Sequence, residues 1–84
     1  MEKSIHTTQQ QKLQKLLRQI RIEAKLRQVD LAERLGEPQS FISKYESGER
    51  RLDILEIREI CEAIGIPLED FARRLEASLR DTAC

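Results

Sequence analysis

The sequence predicts an all-α domain of five helices, on three observations. Apolar residues recur at helical spacing and nowhere alternate at the period of two that a half-buried strand requires. The three glycines (Gly36, Gly48, Gly65) and two prolines (Pro38, Pro67) fall between the periodic stretches, where helices stop and restart. The connections so marked are short, which suits helices packed around one core. Eighty-four residues make one domain, since a chain this short buries only about 60% of its unfolded surface.

Thr8 and Gln11 have the form of a capping box, so helix 1 is expected from about Gln9 to Lys25. Its apolar stripe is Leu13, Leu16, Leu17, Ile20 and Ala24. Leu26 fills the corner that follows. Arg27 would cap helix 2 poorly, because it offers no acceptor to the free N–H groups; the charge of Asp30 in the first turn partly compensates. Leu31, Ala32 and Leu35 form the inner face of helix 2, and Gly36 stops it. Pro38 suits the first turn of helix 3, which runs to Ser47 with Ile42 and Tyr45 inward and Gly48 at its end. Glu49, Arg50 and Arg51 make a charged loop. Asp53 opens helix 4, with Glu56 as the other half of a capping box and Ile57, Ile60, Cys61 and Ile64 facing in. Gly65 ends it. Pro67 starts helix 5, whose stripe is Leu68, Phe71, Ala72, Leu75 and Leu79. The chain therefore divides into a flexible arm over 1–8, the domain over 9–79 and a tail over 80–84.

Composition excludes several classes. No apolar run is long enough to span a membrane, and Met1 to His6 lack a signal-peptide core, so a cytoplasmic protein is expected. Two cysteines, Cys61 and Cys84, and one histidine, His6, make neither a disulfide framework nor a metal site. Cys61 reads as a small core residue. Acids are scattered over helix surfaces, and no serine or cysteine has a neighbouring base, so neither an enzyme nor a cofactor is expected. The net charge is zero but unevenly spread: +4 over residues 1–26 (six Lys/Arg, two Glu), balanced over 27–51 (five of each sign), and −4 over 52–84 (four Arg, eight Asp/Glu). Such polarity can orient a protein on DNA, because the field is local and is screened within about 10 Å at 0.1 M salt.

Helix 3 is short and polar on its outer face, with side chains able to read base edges, so we expect it to enter a DNA major groove. Three segments sharpen this: Leu17-Arg18-Gln19-Ile20-Arg21; Gln28-Val29-Asp30-Leu31-Ala32-Glu33-Arg34-Leu35-Gly36; and Gln39-Ser40-Phe41-Ile42-Ser43-Lys44-Tyr45-Glu46-Ser47-Gly48. With them, residues 17–72 resemble the Cro/repressor-type helix-turn-helix family, also called the XRE family. The resemblance implies a five-helix lambda-repressor-like DNA-binding domain with the helix-turn-helix at helices 2 and 3. It assigns Gln28 to a phosphate and Gln39, braced by Gln28, to a base. Ser40 and Lys44 fall at groove-facing positions that set sequence choice, while Ser43 and the Ser47–Arg51 loop lie along the DNA backbone. Arg21 and Glu46 match the family's structural ion pair between helices 1 and 3. The sequence departs from the family pattern at Lys25, where Gly is common, and at Arg27 and Pro38, where Ser or Thr caps are common. Arg27 could instead point at a phosphate.

The chemistry of these side chains fits those roles. Gln39 can donate and accept at once, as a bidentate pair with adenine N6 and N7 needs. Lys44 reaches guanine O6/N7 or a phosphate, and Arg50 and Arg51 would neutralise phosphates. Phe41 either touches a thymine methyl or packs back on helix 2. The stripe of helix 5 runs past what the family domain needs, so Leu75 and Leu79 are expected to meet a second copy and give a homodimer on paired half-sites; the alternative is a helix folding back on helix 1. The expected function is a sequence-specific DNA-binding regulator, a repressor of operator DNA. The alternative is an antitoxin or adaptor whose main partner is another protein.

Overall fold

The computed structural model describes residues 7–82. Five helices follow in order: α1 (Thr8–Glu23), α2 (Gln28–Leu35), α3 (Gln39–Ser47), α4 (Ile54–Ile64) and α5 (Leu68–Thr82). Helix α1 lies against α3 and α5, α2 against α3 and α4, and α4 against α5. The core between them holds Leu16, Leu17, Ile20, Leu31, Ala32, Ile42, Tyr45, Ile57, Ile60, Cys61 and Phe71, which are all the fully buried apolar side chains among the described residues. Every helix contributes, so no pair of helices could keep its apolar face dry alone. Among the described residues no helix is long and apolar enough to cross a membrane, and no cluster of His, Cys, Asp or Glu could hold a metal ion. His6 and Cys84 lie outside the described residues, as do most of the expected arm (1–6) and the last two tail residues.

The helix ends follow local chemistry. The start of α4 is as its sequence predicts. Asp53 accepts from the Glu56 backbone N–H at 2.8 Å, and Glu56 accepts from the Asp53 N–H at 2.9 Å. At α1 the expected box slips by one residue. Thr7 is the cap, its hydroxyl accepting from the Gln10 N–H at 3.1 Å. Pro38 sits at the cap position of α3 rather than in its first turn, with its carbonyl accepting from the Phe41 N–H at 3.0 Å.

Helix α1 ends at Glu23, two residues earlier than expected. Lys25 takes the left-handed conformation (φ 61°) where the family usually has Gly. Its N–H donates to the Ile22 carbonyl at 2.9 Å and the Leu26 N–H to that of Arg21 at 3.2 Å, the paired closure of a Schellman turn. Ala24 is consequently an exposed end residue, not part of the inner stripe, and Ala72 of α5 is exposed as well. In α2 the Schellman closure falls on Gly36 (φ 70°), which reverses the chain into α3.

Candidate nucleic-acid interface

Beneath α3 lies one connected polar network. Arg21, on α1, is buried and grips Glu46 of α3 with two bonds: Nε to Oε2 at 2.7 Å and Nη2 to Oε1 at 3.0 Å. Its third donor, Nη1, reaches the Leu26 carbonyl at 2.8 Å, tying in the α1–α2 corner. The Glu46 hydrogen bond holds the Arg21 pKa above its ordinary value. With both side chains under a tenth exposed, this pair orients α3 on α1, as the sequence predicts.

The network continues outward. Gln28 Nε2 donates to Glu46 Oε1 at 3.1 Å, and Gln39 Nε2 donates to Gln28 Oε1 at 3.3 Å. A carboxylate only accepts, so Glu46 dictates which end of the Gln28 amide faces it. Gln28 then presents its oxygen to Gln39, and Gln39 is left with its own oxygen and one N–H. One acceptor and one donor side by side are what adenine N6 and N7 demand. A buried ion pair thus fixes the polarity of an exposed amide two side chains away.

The outer face of α3 carries Gln39, Ser40, Ser43 and Lys44, all exposed and at i, i+1, i+4 and i+5, so one surface presents them together. Gly48 (φ 92°) closes the helix, and a Cβ there would stand 2.9 Å from Gln14 Nε2. The left-handed φ favours glycine there, while the end of the flexible Gln14 side chain has room to shift aside. The exposed Ser47 hydroxyl bonds along the chain, to the Lys44 carbonyl and to Glu49, both at 3.1 Å. Arg51 is exposed.

Two candidates, Phe41 and Arg50, meet each other. Phe41 is half-buried against the core, its ring edge-on to Tyr45 at 5.5 Å and 74°. The Arg50 guanidinium lies 4.9 Å over that same ring and pairs with Glu56. Arg27 bonds Asp30 through Nε at 3.0 Å and Nη2 at 2.9 Å while its backbone N–H bonds the same carboxylate at 2.8 Å. That grip pulls the Asp30 carboxyl down to about 2.

The reason for expecting an uncovered stripe on α5 does not hold for Leu75, which packs against the core within the chain. Helix α5 folds back on α1: Arg74 bonds Glu23 at 3.0 and 3.1 Å, and Lys12 donates to the Ser78 carbonyl at 3.1 Å. Leu75 and Leu79, both half-buried, line a groove with Leu13 and Arg51. Sequence reasoning missed these ties, and also the Arg34 bond to the Ala63 carbonyl at 2.8 Å that clips α2 to the end of α4. It missed as well the exposed aliphatic pair Ile54 and Leu55, 61% and 68% accessible at the start of α4.

A family model described as helix-turn-helix matches residues 17–71. Among solved structures, the chain is similar to an XRE-family like protein from Pseudomonas syringae pv. tomato str. DC3000. The two are 44% identical and superpose with a TM-score of 0.80, over 88% of this chain and 90% of that one. No curated protein matches.

Proposed function

Since this chain belongs to the XRE-type helix-turn-helix family of DNA-binding regulators, we propose that it is a cytoplasmic repressor that occupies operator DNA with α3 in the major groove. The observation that carries this reading is the side-chain relay from Arg21 through Glu46 and Gln28 to Gln39. It spends a buried ion pair on fixing one exposed amide, which a solvated surface glutamine would not need. In this reading Gln39 pairs with adenine, Ser40 and Lys44 select neighbouring bases, and Gln28, Ser43 and Arg51 meet the backbone. The working unit is a homodimer on half-sites about one helical turn apart. Half-buried Leu79 beside the α1–α5 groove leaves apolar surface for a second copy.

Selection of bound duplexes from a random pool tests the proposal. It should return a short motif containing adenine, bound with an affinity that falls steeply between 50 and 200 mM salt. Retention of no duplex at low salt would remove the DNA reading. A second reading, an antitoxin or adaptor whose main partner is a protein, is favoured by the exposed Ile54 and Leu55 beside the acidic charge of residues 52–84. It would gain from that negative result.

A further inference from the structure

We infer that Arg50 is a positioning residue and not a phosphate ligand: it latches the loop between α3 and α4 so that Arg51 and the loop backbone are held ready for DNA. The inference deepens the proposed DNA reading and rests on it for the role of Arg51, while the latch itself stands on this geometry alone.

Four contacts make the latch. The Arg50 guanidinium carbon is 4.9 Å from the centroid of Phe41, within the range where a cation is held by a ring face. Nη2 of Arg50 is paired with Oε2 of Glu56. The other oxygen of Glu56 accepts from the Asp53 backbone N–H at 2.9 Å, so the same carboxylate caps α4. Phe41 in turn stands edge-on to the buried Tyr45 at 5.5 Å. The chain of contacts runs from the core, through the first turn of α3, across the loop and into the first turn of α4. Arg50 also joins the loop through its backbone, its N–H and that of Glu49 sharing the Lys44 carbonyl at 3.2 and 2.9 Å.

Charge and placement separate the two arginines. The Arg50 charge is already matched by Glu56, its Nε is buried, and its side chain is 39% exposed. A phosphate on its remaining N–H groups would sit beside the Glu56 carboxylate, whose charge opposes it. Arg51, the next residue, is exposed and takes part in no ion pair among the described residues, so its charge is available. The latch also accounts for an aromatic side chain at the edge of the reading face. Arg50 covers Phe41, which serves as the seat of the latch and not as a thymine contact.

The test compares wild type with Arg50→Ala, Arg50→Lys, Glu56→Gln, the double variant Arg50→Ala/Glu56→Gln, and Arg51→Ala. Affinity for a selected duplex is measured against salt, and amide exchange of Glu49 and Arg50 is measured without DNA. Glu56→Gln keeps an oxygen for the Asp53 N–H, so α4 stays capped. Arg51→Ala should lower the salt slope by about 0.9, the loss of one phosphate contact. Arg50→Ala should leave the slope unchanged and weaken binding about three- to tenfold, the scale of one ordered surface pair and one cation–π contact. Glu56→Gln should weaken binding to the same degree, and the double variant no further. Arg50→Lys should not restore affinity, since an ammonium lacks the planar fork. In the free protein, all the Arg50 and Glu56 variants should speed exchange of the Glu49 and Arg50 amides. A reduced slope in Arg50→Ala, or tighter binding with a steeper slope in Glu56→Gln, would overturn the inference by making Arg50 a masked phosphate ligand. Should no duplex bind, the DNA reading fails separately, and unchanged exchange in the variants would still overturn the latch.

Discussion

At the scale of single residues, the interface depends on side chains whose partners cannot move. Glu46 accepts from Arg21 and from Gln28 at once. Removing it by Glu46→Ala leaves a buried guanidinium uncompensated, a loss of about 3–5 kcal/mol by analogy with other broken buried pairs, to be read from denaturant unfolding. Tyr45 shows the opposite case. Its ring is buried in the core, burial pushes its phenol pKa up, and its hydroxyl has no hydrogen-bond partner among the described residues. Tyr45→Phe should therefore leave stability unchanged or raise it by up to about 1 kcal/mol, because a buried unpaired hydroxyl costs free energy; a loss above that size would reveal a partner. The Arg21–Glu46 pair and the bracing of Gln39 by Gln28 were legible in the sequence, because the motif fixes both positions. The seat of Phe41 was not. Its partner Arg50 lies nine positions on, past a glycine turn, and periodicity within one helix does not report what a loop folds back to cover.

At the scale of elements, the helices were legible because apolar spacing and stop residues agree, and their ends less so. Asp53 and Glu56 leave one choice of cap. Thr7 and Thr8 are each followed three residues later by glutamine, so the same pattern fits twice and only the fold chooses. Ala24 and Ala72 fit apolar stripes by spacing, yet a methyl group adds too little buried area to hold a helix to that rotation. The α1–α2 corner carries a cost at Lys25, where a left-handed turn is made without glycine. Lys25→Gly should stabilise the domain by about 0.5–1 kcal/mol, the relief of Cβ strain less the added chain entropy, seen as a higher Tm; a lower Tm would mean the lysine has an undetected role. The start of α2 should be sensitive to acid. Asp30 has a pKa lowered to about 2 by Arg27, so its contribution is complete above the unfolded carboxyl value near 4 and fades as pH falls toward about 2. An NMR titration of the Asp30 carboxyl with its midpoint near 4 would contradict the Arg27 grip.

At the scale of the whole molecule, the fold lays the acidic C-terminal segment against the basic N-terminal helix, pairing a minority charge of each and leaving the excess of both in place. Arg74 of the acidic half bonds Glu23 of the basic half at 3.0 Å, across 51 residues, and Lys12 reaches the Ser78 carbonyl. Such ties were not legible, since a charged surface residue carries no signal of which distant helix it will face. They fold α5 onto α1 and cover much of the stripe on which a dimer was expected, so the proposed homodimer has Leu79 and its groove to work with rather than a bare helix face. Sedimentation at micromolar concentration should give twice the 9.8 kDa chain mass, and a sole monomer would remove the dimer while leaving the reading helix intact. The central claim is that Gln39, oriented by the relay, reads a base while Arg51 meets the backbone regardless of sequence. The most direct measurement is the affinity of wild type, Gln39→Ala and Arg51→Ala for a selected duplex and for one with its adenine replaced. Gln39→Ala should lose the preference between the two, about 1–3 kcal/mol, while Arg51→Ala should weaken both equally. Full base preference in Gln39→Ala, or equal loss on both duplexes for both variants, would contradict that claim.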